Sequence, residues 1–201
     1  MTELHDRLTR LYEAGHARSD IDVIVNPWSQ AEGYYRPSAV LAAITDRPDP
    51  GVLLLYRPKT MRSHAGEVVL PGGKVDPGET FIEAAVREAH EEMGIDPAAV
   101  RVIGPGDMLR TGTMYQINPV LALVPGDITI TPNPAEVSDW FEAPLRHVLD
   151  PANHVEDPYV FGEKTVHVWT IHWNGHCIWG STAMVLINLA RRLNWTGARA
   201  G

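Results

Sequence analysis

Residues 72–95 read "GGKVDPGETFIEAAVREAHEEMGI", and this stretch decides both the fold class and the chemistry. Thr80, followed three residues later by Glu83, forms a capping box, and Gly94 stands where a left-handed terminator closes a helix. The pattern predicts a helix from about Phe81 to Met93. At roughly 100° per residue, Ile82, Ala85, Val86, Ala89 and Met93 share one arc that is expected to face the core. Glu88, Glu91 and Glu92 fall on the adjoining arc, at the edge of that buried face and directed into a crevice.

Local energetics does not favour these carboxylates. Glu88 and Glu92 are a like-charged i,i+4 pair, which costs roughly 0.2–0.5 kcal/mol on an exposed helix. All three lie in the C-terminal half, where the helix dipole opposes anions. A solvated acidic face is the simplest alternative, but stability alone would not choose it. A hard divalent cation would, because oxygen ligands converging from one helical turn suit Mg²⁺ or Mn²⁺. Gly72 and Gly73 let the backbone pass close to a bound group, and the Gly72 carbonyl is a further candidate ligand. Glu79 and Arg87 are expected to form an ion pair tying loop to helix. The implied chemistry is metal-assisted hydrolysis, with phosphate charge neutralised by the cation and a carboxylate taking a proton from water.

Outward from this stretch the order of elements is mixed α and β. The N-terminal "LHDRLTRLYEAG" has helical spacing, and "SAVLAAIT" (38–45) and "GVLLLYR" (51–57) read as strands about a turn-rich connector. "GEVVLPGG" (66–73) reads as a short strand ending at a Pro-Gly-Gly turn, and "VRVIGPGD" and "INPVLALVPG" as two further strands. "TVHVWTIHW" (165–173) alternates with period two and turns at Asn174-Gly175 into "HCIWG". "STAMVLINLARRL" (181–193) is expected to be a helix capped by Ser181 or Thr182. Trp169, Trp173 and Trp179 on the late strands suit core packing better than adenine stacking.

The chain has 201 residues, enough for one domain with a sizeable core. Its formal net charge of −8 argues against nucleic acid or an anionic membrane as partner. No apolar run is long enough to span a bilayer, and the single Cys177, expected to be a half-buried core residue, allows no internal disulfide. A cytoplasmic protein is expected.

The spaced residues Gly73-x5-Glu79-x7-Arg87-Glu88-Ala89-x-Glu91-Glu92-x-Gly94-Ile95 resemble the signature of the Nudix hydrolases, which cleave nucleoside diphosphates linked to another moiety. Ala89 departs from the larger aliphatic residue usual there, which implies a packing adjustment. The resemblance implies an α/β fold, the Nudix-type α/β/α sandwich with a mixed sheet. It also implies that Glu88, Glu91, Glu92 and the Gly72 carbonyl hold the metal, with Glu88 a candidate base. Glu136, in a loop before a strand, is the candidate for an additional ligand or base, with Asp139 and Glu142 as neighbouring rivals. The expected domain spans 36–193, preceded by a helix and irregular arm at 1–35 and followed by a disordered tail at 194–201.

Upstream, "LLLYRPKTMRSHAGEVVLPGGK" (53–74) resembles the coenzyme A pyrophosphatase branch of that family. Leu53, Leu54, Arg57, Arg62, Gly66, Pro71, Gly72 and Gly73 stand at matching positions, while Leu55, Pro58 and Leu70 depart from the usual Thr, Ser and Phe. A cationic cluster beside an acidic metal site suits a ligand with a diphosphate and a further phosphate, and arginine suits bidentate phosphate contact. Arg57, Arg62, Gly72, Gly73 and Lys74 are the expected substrate-binding residues; Lys59 reads as incidental, and His64 equally as a phosphate contact or an incidental loop residue. The implied reaction is metal-dependent hydrolysis of coenzyme A or its thioesters to 3′,5′-ADP and 4′-phosphopantetheine derivatives. Alternatives are ADP-ribose or other nucleoside diphosphate derivatives as substrates, and a non-catalytic nucleotide-binding module. Expected partners are a nucleotide-like small molecule and, as one option, a second copy in a homodimer.

Overall fold

The computed structural model describes residues 2–26, 29, 32–59, 66–162 and 164–195. Its centre is a pair of long parallel strands, β1 (Arg36–Asp46) and β7 (Tyr115–Pro125), in register from Arg36↔Tyr115 to Asp46↔Pro125. Both are buried on both faces, which is why their sequences are nearly continuous apolar runs. A parallel pair needs a long crossover. Between them in sequence lie β2 (Gly51–Tyr56), β3 (Val68–Val69), β4 (Gly72–Lys74), α2 (Phe81–Met93), β5 (Arg101–Pro105) and β6 (Leu109–Arg110). The N-terminal helix is α1 (Glu3–His16), and β8 (Asp139–Pro144) completes the eight-stranded sheet along the far edge of β2.

One irregularity in this sheet creates the site. At its C-terminal end β1 meets β2 through Ile44↔Val52, but at its N-terminal end it meets β4 through residues 38–40 and 72–74. The far end of β2 pairs instead with β3. A fork therefore opens between β2/β3 and β4. The short strand expected here ends before Pro71, which lacks an N–H, but Gly72 and Gly73, expected as a turn, pair with β1 as part of β4, so the chain changes partners between Val69 and Gly72. Pro71 keeps its carbonyl bonded to the Leu41 amide at 2.8 Å.

Helices cover both faces. α2 packs on Ala39, Leu41, Ala43, Val120, Ala122 and Val124. On the other face, α1, α3 (Leu145–Val148) and α4 (Gly180–Leu193) enclose Ile44, Leu54, Leu121 and Leu123 together with a three-stranded antiparallel sheet. That sheet has the order β11 (His176–Trp179), β10 (Lys164–Trp173), β9 (Val155–Phe161). The result is the expected α/β/α sandwich with a mixed sheet. β9 was not foreseen, since "VEDPYVF" carries charge and proline and offers no clean alternation.

Three local expectations are corrected. α4 has no side-chain cap: it starts at Gly180, so Ser181 and Thr182 already lie inside its first turn. Cys177 is exposed, because Ile178 takes the inward position of β11 and alternation turns its neighbour out. Trp173 and Trp169 pack against the core as expected, with Trp173 stacked near Phe141 and His176, but Trp179 stacks on Tyr159 outside it. The N-terminal helix packs within the same molecule: Leu8 is fully buried in the α4-side core, and Gly15 lies against α4. Among the described residues, no helix is long and apolar enough to cross a membrane. Most of the expected tail, residues 196–201, lies outside the described residues.

Candidate active site

The capping box and left-handed terminator of α2 form as its sequence dictates. Thr80 Oγ1 accepts from the Glu83 amide at 3.2 Å, the Glu83 carboxylate accepts from the Thr80 amide at 2.8 Å, and Gly94 has φ +70°. The buried face is rotated from the expected one. Ala84, Ala85, Ala89, Glu92 and Met93 are buried, whereas Ile82 is 38% exposed. The alanines allow α2 to lie close on β1, and this roll carries Glu88 and Glu92 into the fork while lifting Ile82 and Val86 to the flank.

At the fork, Glu88, Glu92 and Glu136 each bring one carboxylate oxygen within 4.8 Å of the others. Glu92 is only 3% exposed and accepts from the Gly72 amide at 2.8 Å. Glu88 lies over Gly73 so closely that a Cβ there would stand 2.4 Å from its carboxylate, so a larger residue would push the carboxylate out of its present position. Glu136 reaches the cluster because its loop is tied to the end of α2. The amides of Thr131 and Asn133 satisfy the Met93 and Glu92 carbonyls at 2.9 and 2.8 Å, and Asn133 Nδ2 donates to Glu136 Oε1 at 3.3 Å. Asn133 was missed from sequence; its Asn-Pro dipeptide is a turn signal and nothing more. The rivals of Glu136 lie elsewhere: Glu142 binds Thr45 and Arg47, and exposed Asp139 caps the Trp140 amide at 2.8 Å.

Arg87 organises the flank. It pairs bidentately with Glu79 at 2.9 and 3.1 Å, and reaches the Lys74 carbonyl, Glu88 and Glu91 at 3.0, 3.0 and 2.9 Å. Glu79 is held below its ordinary pKa mainly by the hydrogen bond from Arg87. The Glu91 side chain is 48% exposed and directed to Arg87; it is not in the three-carboxylate cluster. Burial raises the pKa of Glu88 despite Arg87. Burial pushes Glu92 further, up to about 8; the Gly72 amide and Arg57 oppose the shift, and Glu88 and Glu136 add to it.

Arg57 follows β2 on the face that looks toward Glu92. Its Nε is buried and has no hydrogen-bond partner among the described residues. Its backbone bonds Glu67 and Gly66, both at 3.0 Å, and so closes the loop that holds Arg62 and His64; those two lie outside the described residues. Lys74 and Lys59 are exposed.

Three crowded carboxylates, one of them almost fully buried, are an unfavourable arrangement in the absence of a counter-charge. Their all-oxygen donor set fits a hard divalent cation such as Mg²⁺ or Mn²⁺. The class that fold and site define is an α/β/α sandwich whose crossover helix supplies two of three converging carboxylates, a centre suited to metal-assisted chemistry. Residues 35–163 match the family model described as NUDIX domain. The chain is 40% identical over 161 residues to the protein described as uncharacterized Nudix hydrolase NudL of Escherichia coli O7:K1, covering 79% of this chain and 83% of that one. The Shigella flexneri protein of the same description is 40% identical over 164 residues, covering 81% and 85%. Among solved structures, the Nudix hydrolase RenU from M. smegmatis is 25% identical with a TM-score of 0.49, over 58% of this chain and 75% of that one. This chain belongs to the Nudix hydrolase family, whose members generally use divalent metals such as Mg²⁺ or Mn²⁺.

Proposed function

We propose that this Nudix hydrolase cleaves the diphosphate bond of coenzyme A or its thioesters, giving 3′,5′-ADP and 4′-phosphopantetheine derivatives in the cytoplasm. The observation that carries the reading is Arg57, whose buried Nε has no hydrogen-bond partner among the described residues and whose charge is felt by Glu92 of the cluster. A buried donor without an acceptor costs free energy that a phosphate oxygen would recover. Arg57 is also a fixed position of the 53–74 stretch that resembles the coenzyme A branch, as are Gly72 and Gly73 of the adjoining backbone.

In this reading Glu88, Glu92 and Glu136 hold the cation, supported by their convergence. Glu91, expected as a ligand, takes a lesser part because Arg87 engages it, while the Gly72 carbonyl stays a candidate ligand beside an amide that bonds Glu92. When bound, Mg²⁺ or Mn²⁺ neutralises diphosphate charge and acidifies water. Arg57 binds diphosphate oxygens, with Arg62 and Lys74 as further cations from the flanking segments. Gly73 lets Glu88 close on the backbone, and a carboxylate of the cluster accepts the proton released by the attacking water. The competing reading is hydrolysis of ADP-ribose or other nucleoside diphosphate derivatives, to which the cluster and Arg57 are equally suited.

A panel of coenzyme A, acetyl-coenzyme A, ADP-ribose and dinucleotides with Mg²⁺ or Mn²⁺ separates the two. Product analysis of the preferred substrate in ¹⁸O water identifies the phosphorus attacked. Turnover of coenzyme A to 3′,5′-ADP is expected; brisk turnover of ADP-ribose with none of coenzyme A would sink the proposal.

A further inference from the structure

Among the described residues, most arginines hold a carboxylate: Arg47 binds Glu142, Arg101 binds Asp46, and Arg192 binds Asp107. Arg36 holds none among the described residues. Its guanidinium lies 5.7 Å from the centre of the Tyr115 ring, which belongs to its register partner on β7. A ring holds a guanidinium in place without neutralising it, so the charge stays available to an anion.

Alternation along β1 fixes its direction. Ala39, Leu41 and Ala43 enter the α2-side core, and Val40, Ala42 and Ile44 the opposite one, so Arg36 shares its face with Val40. Lys74 stands opposite Ser38 in the β1–β4 register, and Gly73 is turned to Glu88, so Lys74 takes the same face as Arg36 and lies diagonal to it. Among the described residues, β4 pairs with β1 alone, and no strand covers its outer edge along the fork. A ligand that has its diphosphate at Gly72 and Gly73 and crosses this edge from the Glu88 face meets Lys74 and then Arg36 on the other face. At about 3.3 Å per residue, these positions lie roughly 7 and 13 Å along the strand from the partner of Gly72. A flexible arginine side chain reaches back across much of that interval.

We propose that Arg36, together with Lys74, binds a phosphate monoester carried on the same ribose as the 5′-diphosphate, and so determines selectivity for the doubly phosphorylated nucleotide. The proposal rests on the coenzyme A reading given above and extends it to a residue outside both the carboxylate cluster and the 53–74 stretch.

The test compares kcat/KM for coenzyme A and for 3′-dephospho-coenzyme A, which keeps the diphosphate and lacks the monoester. The wild-type protein is expected to prefer coenzyme A. Arg36→Ala should lower kcat/KM for coenzyme A by about tenfold, mainly through KM, and leave that for dephospho-coenzyme A within about twofold. Arg36→Lys should retain part of the preference. Arg110 is a control at the same rim: it is exposed, lies 4.8 Å from the Tyr35 ring, and faces away from Leu109 and the α4-side core. Arg110→Ala should leave the ratio unchanged. Equal losses for both substrates in Arg36→Ala, no loss for either, or an equal shift in Arg110→Ala would each overturn the monoester site. Wild-type turnover of both substrates without preference also overturns it and leaves the diphosphate-hydrolase reading standing. Turnover of neither, with brisk turnover of ADP-ribose, removes the coenzyme A reading and this site with it.

Discussion

Two regions of this protein bury charge, and they do so in opposite ways. Between α1 and α4, Arg192 and Asp107 meet in a bidentate pair at 2.9 and 2.7 Å, each side chain 16% exposed. The same guanidinium donates to the carbonyls of Gly15 and Arg18 at 3.2 and 2.9 Å, so it also closes the C-terminal end of α1. Every charge there has its partner. At the fork, three carboxylates converge, Arg87 bonds Glu88 alone of the three, and Glu92 is buried with a single amide and, among the described residues, no cation bonded to it. The first arrangement serves stability and the second forgoes it, which is the expected cost of a site kept ready for a metal and a polyanion.

The strongest way to break this contrast is Glu92→Gln. Activity should fall by about 10³-fold in kcat, in the range of losing a principal electrostatic contributor, while the metal-free protein becomes more stable. The sign follows from the raised pKa of Glu92. The folded state retains a proton that the unfolded state loses above its ordinary pKa near 4.5, so the stability contributed below that pH is lost as pH rises toward about 8. Thermal melts of metal-free protein should therefore decline from pH 5 to 8, by on the order of a few kcal/mol. Mg²⁺ or Mn²⁺ should offset the decline and Glu92→Gln should flatten it. A pH-independent melting temperature in the metal-free wild type would contradict the assignment.

Arg192→Ala probes the compensated region and should do the reverse. Leaving Asp107 buried without its partner should cost about 3 kcal/mol by urea denaturation, with kcat/KM per folded molecule within about twofold of wild type. Glycine-to-alanine substitutions sharpen the comparison on a smaller scale. At Gly15 the new Cβ would stand 1.8 Å from the Arg192 carbonyl, so α1 must move off α4 at a cost of about 1–3 kcal/mol. At Gly73 it would displace the Glu88 carboxylate, so activity should fall about 10²-fold with a smaller change in melting temperature. Glu91→Gln is the mildest test: Glu91 is half-exposed and held by Arg87, so a loss of about threefold in kcat/KM is expected. A loss comparable to that of Glu92→Gln would return Glu91 to the metal-holding set.

Much of the site was legible in sequence because it is local. The caps of α2, its limits, the Glu79–Arg87 pair and the adjacency of Glu88 and Glu92 all follow from interactions within about eight residues, through helical period and capping chemistry. The expected direction of the helix was less accurate. Hydrophobicity placed Ile82 inward, but close packing of Ala84, Ala85 and Ala89 on the sheet outweighed it. The stop of the short strand at Pro71 was legible, but that the glycine turn after it becomes a second strand follows only from the change of partner from β2 to β1.

By itself, the sequence determined that one helix would carry a set of costly carboxylates behind a glycine pair, in a mixed α/β domain. The tertiary structure decided which carboxylates meet. Glu136 lies 44 residues beyond Glu92 and joins it because Asn133 pins its loop to the end of α2; Glu91, one residue away from Glu92, turns to Arg87. Helical periodicity sets a side chain's direction about its own axis, but convergence across distant segments depends on how the sheet forks and where loops are tied, which no local pattern encodes.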